Sequence, residues 1–213
     1  MYRIGCASDF CSPISRLTES EFMHTFKLIP YLALIATAAC ETTSSSDANP
    51  TPVLSFAELN TTNTSIINKI VSAGPSPADA IPDTGGATYD GAMTFLLQDG
   101  SADGVIGQAQ VNVDFGTDLV TGGANNFYDL SGNAAAGSVS IENGFVVDAL
   151  GNVVTGNVNG NVTFAAGAMD VSTTLAGNFS GPNVEFFSGV VSGTATPTGG
   201  SAIAVQGAIY TEQ

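Results

Sequence analysis

Apolar and polar residues alternate along most of the C-terminal half of the chain. In residues 105–115 the odd positions are apolar or small, while the even positions from 108 onward are Gln, Asn or Asp. The same two-residue period recurs in 153–164 and in 203–209. A period of two is typical of a β-strand with one buried face. The pattern therefore predicts a β-rich domain.

Turn signals separate the alternating runs. They include Asp99-Gly100, Asn143-Gly144 and Gly199-Gly200, which are dipeptides that favour tight turns. Between such signals the pattern predicts eight strands, near residues 88–97, 105–115, 119–124, 137–143, 153–164, 168–179, 184–193 and 202–211.

Eight antiparallel strands of this length predict an all-β fold, an eight-stranded antiparallel up-and-down β-barrel. Closure removes the exposed strand edges that would otherwise aggregate. Glycines on the apolar face fit a small barrel, where strong curvature leaves little room for side chains. A transmembrane outer-membrane barrel, with its apolar face outward, has the same period. The domain has no Trp and few Tyr, which disfavours that alternative because spanning barrels carry aromatic girdles.

The segment before the barrel changes composition twice. Glu41 to Pro52 is rich in Ser, Thr, Asp and Pro, which predicts a flexible tether. Residues 54–71 mix apolar and polar positions and are compatible with short helical turns or with an entry strand. Gly and Pro at 74–77 and 81–86 interrupt any regular element. We therefore place the barrel at 85–213.

The N-terminal part carries an export signal. His24 and Lys27 precede an apolar run over 28–36, which ends in small residues before Cys40. This order is typical of a secretory signal peptide, and the run is too short to span a membrane. Thr37-Ala38-Ala39-Cys40 resembles the lipobox of bacterial lipoproteins. That resemblance implies a signal peptide at 23–39 and a lipid on Cys40, the first residue of the region 40–84; ordinary secretion is the alternative.

The first 22 residues precede this signal. Because signal peptides begin close to the initiator residue, we expect translation to start at Met23 and residues 1–22 to be a misannotated extension. Cys6 and Cys11 lie in this extension. Two cysteines without a second pair are weak evidence for a disulfide or a metal site.

The charge distribution excludes several functions. The formal net charge is −15, and the basic residues are Arg3, Arg16, Lys27 and Lys69. From residue 70 onward there is no Lys, Arg or His, so a nucleic acid would meet only repulsion. Catalytic lysines, Ser-His-Asp sites and imidazole metal sites are excluded from the same region, because each requires an absent side chain. A cationic partner would be attracted to this acidic surface.

Carboxylates are the remaining candidates for catalysis. Asp99 with Asp103, and Asp114 with Asp118, are close in sequence. Glycoside hydrolysis needs two carboxyl groups that face one cleft, but these four lie at predicted turns, where Asp favours local hydrogen bonds. Calcium bound at such a turn is a further alternative. We predict that the protein is not an enzyme and has no cofactor or resident metal.

Residues 177–185 read GNFSGPNVE, and 188–193 read SGVVSG. They resemble the segment G-x-F-Y-G-P-x-A-E-x-x-G-G of the transferrin-binding protein B-like β-barrel, a superfamily that includes single-barrel proteins like factor H-binding protein. The chain has Ser180, Val184 and Ser188 where that pattern has Tyr, Ala and Gly. The matching positions, expected to be structural, are Gly177, Phe179, Gly181, Pro182, Asn183, Glu185 and Gly189.

The resemblance implies a function in binding. Members are outer-membrane lipoproteins that reach the cell surface through export machinery and bind iron carriers, haem carriers or complement regulators. It implies the same location here, with a protein or iron-carrier ligand. A structural envelope protein without a specific ligand is the alternative.

Haem binding would need axial ligands, and the barrel region has no His. The candidate axial ligands are Met93, Met169, Tyr89, Tyr128 and Tyr210. We expect all five to be packed strand residues, because Met and Tyr are common on half-buried sheet surfaces.

Overall fold

The computed structural model describes residues 52–147 and 152–213. The extension 1–22, the signal peptide 23–39, Cys40 and the tether up to residue 51 lie outside the described residues, and the statements about them remain predictions. No helix within the described ranges has both the length and the apolar character needed to cross a membrane.

The described chain begins with a helix and continues almost entirely as strands. Helix α1 is Phe56–Ala73, and a short 3₁₀ turn follows at Ala78–Ala80. The strands are β1 (Gly86–Leu97), β2 (Gly104–Asp114), β3 (Leu119–Asp129), β4 (Ala134–Ala135), β5 (Gly137–Val147), β6 (Val153–Phe164), β7 (Gly167–Ser180), β8 (Phe186–Pro197) and β9 (Ile203–Glu212).

Eight of these strands form a closed antiparallel barrel. Each long strand pairs with the next one along the chain, and β1 pairs with β9 to complete the circle. The two-residue β4 pairs only with the end of β3. The predicted all-β, eight-stranded up-and-down barrel is confirmed.

Strands β3, β5 and β8 extend four or five residues past their predicted ends, and in β5 a predicted turn signal lies inside the strand. We expected β5 to end at Asn143-Gly144, but the strand continues to Val147. Asn143 has a φ of 50°, and the pairing with β6 shifts register between Glu142 and Phe145. The dipeptide thus forms a β-bulge, which inserts an extra residue without ending the strand. Similarly, β3 continues past residue 124 to Asp129.

The apolar faces of the strands point into the barrel. On β2, Val111 is fully buried, whereas Asn112 is partly exposed. Val, Phe, Leu and Ile side chains from the eight long strands form one continuous core, together with Tyr89, Met93 and Met169. The outer wall carries mainly amides, hydroxyls and carboxylates, the reverse of the apolar band on a membrane-spanning barrel.

The sequence of residues 54–71 is compatible with short helical turns or with an entry strand. In the structure most of this segment belongs to one long helix, α1. A capping box starts it: the Ser55 backbone N–H donates to Glu58 Oε2 at 2.8 Å, and the Glu58 N–H donates to Ser55 Oγ at 3.4 Å. Such a reciprocal pair satisfies N–H groups that the first turn leaves unpaired. Gly74 ends the helix with a φ of 72°, which glycine adopts readily.

Helix α1 packs on the outer wall of the barrel. Leu59 and Ile66 are fully buried, and Leu59 packs with Ala92 of β1 and Ile106 of β2. Lys69 Nζ lies 2.6 Å from Glu212 Oε2 on β9; this ion pair is exposed and contributes little to stability. The other face of the helix is rich in Asn, Thr and Ser, which are weak helix formers. Packing against the barrel therefore stabilises this helix more than its intrinsic propensity does.

The two faces of β2 make a direct test of this fold. We expect Val111→Asp to abolish folding, because an unpaired carboxylate in the core costs several kcal/mol of a total stability of about 5–15 kcal/mol. Asn112→Asp keeps the acceptor that Thr88 Oγ1 contacts at 2.9 Å, so we expect a change below about 0.5 kcal/mol. Urea unfolding followed by circular dichroism measures both. A more damaging Asn112→Asp would mean that the faces are reversed.

Candidate functional site

The motif predicted from the sequence forms the β7–β8 connection. Gly181 has a φ of 91°, which favours glycine, and a Cβ there would overlap the Glu185 carboxylate. That carboxylate accepts from the Asn183 backbone N–H at 3.0 Å and from Asn183 Nδ2 at 2.9 Å. These bonds, first of all the one from the backbone, lower the pKa of Glu185. Pro182 lies within the same tight turn. The Glu185 carboxylate therefore stabilises the backbone of the turn in which it lies.

The strand residues of the motif pack one end of the core. The Phe179 ring is fully buried, and its centroid lies 5.6–5.9 Å from those of Tyr89, Phe115 and Phe187. A Cβ on Gly177 would lie 2.6 Å from Cζ of Phe187, so only glycine leaves room for that ring. Gly189 on β8 leaves similar space for the Leu175 side chain. The contacts of these residues are those of core packing.

A hydrogen bond across the barrel end holds the loop in place. Tyr89 Oη on β1 donates to the Val184 carbonyl at 2.8 Å. Val184 is buried with a φ of 63°, which is rare for a β-branched residue. Ser76, which precedes the barrel in the chain, donates from Oγ to the Gly181 carbonyl of this loop at 2.7 Å. Burial, and secondarily the charge of Glu185, raises the pKa of Tyr89 well above its ordinary value, so its hydroxyl stays protonated as a donor.

The opposite end of the barrel is also bridged. The carboxylate of Asp103, after the β1–β2 turn, accepts from the backbone N–H groups of Ala165 and Ala166 at 3.2 Å each. Those two residues form the β6–β7 turn, and neither β6 nor β7 is a neighbour of β1 or β2 in the sheet. With the core filled and both ends bridged, the barrel interior is a packed core and the outer wall is the surface available to a ligand.

The candidate axial ligands do not form one site. Tyr89, Met93 and Met169 are buried in the core. Tyr128 Oη donates to the Leu54 carbonyl at 3.0 Å beside the start of α1, and Tyr210 is a partly exposed residue of β9. The expectation that these residues pack as ordinary strand residues agrees with their positions.

Three carboxylates of the two predicted pairs, those of Asp99, Asp103 and Asp114, accept hydrogen bonds that hold turns. Asp99 Oδ1 accepts from the Ser101 backbone N–H at 2.9 Å and also from Ser101 Oγ, and these bonds lower the pKa of Asp99. Asp114 Oδ1 accepts from the Gly116 N–H at 2.9 Å, and Asp103 binds the β6–β7 turn. Among the described residues, no three or more His, Cys, Asp or Glu side chains are grouped closely enough to hold a metal ion.

A recess that sequence reasoning missed lies on the outer wall. This outer-wall groove has a volume of about 500 Å³ and crosses β1, β2, β3 and β5. The polar side chains that define it belong to Asp90, Gln108, Gln110, Asn125, Asn126, Ser138 and Ser140. Gly122 and Gly123 of β3 are also part of the lining.

The groove exists because β3 has glycine in its middle. Gly123 pairs with Gln110 on β2 and with Ser140 on β5. Directly paired residues project to the same face of a sheet, so two side chains flank a position that has none. A Cβ on Gly123 would lie 2.0 Å from the Val139 carbonyl oxygen, which excludes any side chain there. The consecutive glycines inside a predicted strand were the only sequence signal of this recess.

Some of the side chains in the groove are fixed and others are available. Gln110 Nε2 donates to Asp90 Oδ1 at 2.9 Å. Gln108 donates to the Pro52 carbonyl at 3.0 Å and accepts from the Leu54 N–H at 3.3 Å. The remaining amide and hydroxyl side chains make no hydrogen bond within the described part of the chain; they are those of Asn125, Asn126, Ser138 and Ser140.

Similar solved structures are transferrin-binding protein B. Two variants of this protein from Haemophilus parasuis match with a TM-score of 0.44 each, at 16% and 17% identity, over 65% of this chain. The intact Ap-TbpB, with N and C lobes, matches with a TM-score of 0.42 at 19% identity over 64% of this chain.

The chain resembles transferrin-binding protein B. The match covers 27–28% of those longer proteins, and identities this low concern the fold alone. No protein-family model and no curated protein sequence matches the chain.

The bond between Tyr89 and Val184 makes a testable contribution to stability. Tyr89→Phe keeps the ring but leaves the buried Val184 carbonyl without this donor, so we expect a loss of about 1–3 kcal/mol in urea unfolding. Tyr210→Phe, on a partly exposed residue, is the matched control and should change stability by less than about 0.5 kcal/mol. Equal effects of the two substitutions would contradict the closing role of Tyr89.

The raised pKa of Tyr89 gives this prediction a pH dependence. Below about pH 10 the hydroxyl is protonated in both the folded and unfolded chain, so its contribution to stability is constant. Above about pH 10 the unfolded chain releases this proton while the folded chain retains it, and stability falls as pH rises. The difference between wild type and Tyr89→Phe should therefore shrink above about pH 10, and a difference that grows would contradict it.

Proposed function

We propose that the protein is a surface-displayed binding module: an outer-membrane lipoprotein whose barrel binds its ligand on the outer wall. The observation that carries this proposal is the filled interior with both ends bridged, by Tyr89 at one end and Asp103 at the other. A ligand carried inside, as in wider barrels, has no space there. Binding therefore uses the outer wall or the loops.

The proposed anchor is a lipid on Cys40. The eleven residues 41–51 separate this cysteine from the described chain and, fully extended, span at most about 40 Å. The chain meets the barrel where the Pro52 carbonyl accepts from Gln108, at the edge of the outer-wall groove. On this proposal the groove is held within a short distance of the membrane but outside it, and lipoprotein export machinery carries the barrel to the cell surface.

A protein is the partner that the family resemblance favours. The related structures are named for binding transferrin, so an iron-carrier protein is the first ligand to test. The barrel has no basic residue, and such an acidic surface attracts a basic face of a partner. Of the five candidate axial ligands, Met93, Met169 and Tyr89 are buried in the core, which disfavours direct haem capture.

A structural envelope protein is the second candidate. Its supporting observation is the closed barrel with a continuous apolar core. Capture of a soluble partner distinguishes the two functions. A displayed binding module is reached by antibody on intact cells and captures a soluble partner. A structural protein is retained in the envelope and captures none.

The anchor proposal is tested by metabolic labelling. Wild-type cells fed a palmitate analogue should incorporate it into the protein, and Cys40→Ala should lose both the label and the antibody signal on intact cells, since the cysteine sulfur is the acylated atom. Cys40→Ser, which keeps the size and polarity of the side chain, should behave like Cys40→Ala. Equal labelling of wild type and the variants would rule out the anchor.

A further inference from the structure

We propose that the outer-wall groove binds a neutral saccharide. The inference rests on the proposed function, because the groove meets a glycan only if the barrel is displayed outside the cell. It goes beyond that function by assigning a site and a chemical class of ligand.

The shape of the groove suits a small, specific ligand. Its volume of about 500 Å³ lies within the range of about 300–1,000 Å³ for small-ligand sites. The floor is the backbone at Gly123, and the walls are Gln110 on one side and Ser140 on the other. This floor is permanent, since a Cβ on Gly123 would collide with the Val139 carbonyl.

The chemistry of the walls selects the class of ligand. Amide and hydroxyl groups both donate and accept hydrogen bonds, and sugar hydroxyls do the same. An anionic ligand is disfavoured, because the Asp90 carboxylate is part of the lining and the sequence has no basic side chain after Lys69. An aromatic or aliphatic ligand is also disfavoured, because the apolar residues of the lining, Ala109, Ala124 and Val139, belong to the buried core. A cationic ligand would meet a single lining carboxylate, Asp90, which already accepts from Gln110 Nε2. A neutral polyhydroxylated molecule is the class that matches most of the polar lining.

Part of the groove is already organised for binding. Gln110 is held by Asp90, and Gln108 is held between the Pro52 carbonyl and the Leu54 N–H. Side chains that are fixed before binding lose less conformational entropy when a ligand arrives. Asn125 and Ser140, which are exposed and make no hydrogen bond within residues 52–147 and 152–213, supply free donors and acceptors.

The full-length chain, purified in a detergent without a sugar headgroup, is tested on an array of neutral, sialylated and sulfated glycans. We expect binding to neutral glycans and none to the acidic ones. Ser140→Leu fills the groove and should weaken binding about tenfold or more, and Asn125→Ala, which removes one amide, about threefold to tenfold. Ser192→Leu places the same substitution at an exposed position on β8 and should leave binding unchanged.

A second arm identifies the source of the glycan. Released envelope polysaccharide and a glycosylated carrier protein present the same chemistry, and each is titrated separately, the protein before and after enzymatic deglycosylation. Binding to either that Ser140→Leu abolishes supports the groove. Binding of acidic glycans alone, or binding that Ser140→Leu and Ser192→Leu alter equally, overturns it.

The two proposals fail in different ways. If no glycan binds while antibody still detects the protein on intact cells, the saccharide inference is wrong and the surface-display proposal stands. If antibody reaches no protein on intact cells, surface display is wrong, whatever the array shows.

Discussion

The pairing of the first and last strands is the interaction on which the structure depends. From Asp90 opposite Glu212 to Leu97 opposite Val205, β1 and β9 satisfy backbone groups that would otherwise form two exposed edges. Helix α1 packs over this seam, contacting β1, β2, β8 and β9. Closure requires that all inward side chains share one narrow interior, which is filled mainly by Val and Phe. Where the rings of Phe179 and Phe187 meet, glycine at position 177 leaves the space that they need.

Closure also decides where function can reside. An eight-stranded barrel is just wide enough for its own side chains, and here the Tyr89–Val184 bond at one end and the Asp103 contacts at the other complete the enclosure. The motif at 177–189 packs and closes the barrel, so its resemblance to transferrin-binding protein B concerns the scaffold. A ligand must then be recognised by outward residues of the wall or the loops.

Irregularities of the sheet shape this outer wall. Glycines in β3 and register shifts in its pairing with both neighbours interrupt the even row of outward side chains. A regular strand at this position would carry a side chain over Gly123 and leave no recess. The same device appears at Asn143-Gly144, where a dipeptide typical of a turn instead bends a continuous strand.

The sequence alone determined the strand number, the identity of the two faces and the classes of chemistry excluded by missing basic residues, because each depends only on local alternation or on composition. Tertiary structure decided the rest. Phe56–Ala73 is helical because Leu59 and Ile66 pack on a wall built from distant strands. The groove brings Asp90, Gln110, Gly123 and Ser140 together from four strands. This arrangement depends on the pairing register, because a one-residue slip would turn these side chains to the other face. No local sequence pattern specifies that register.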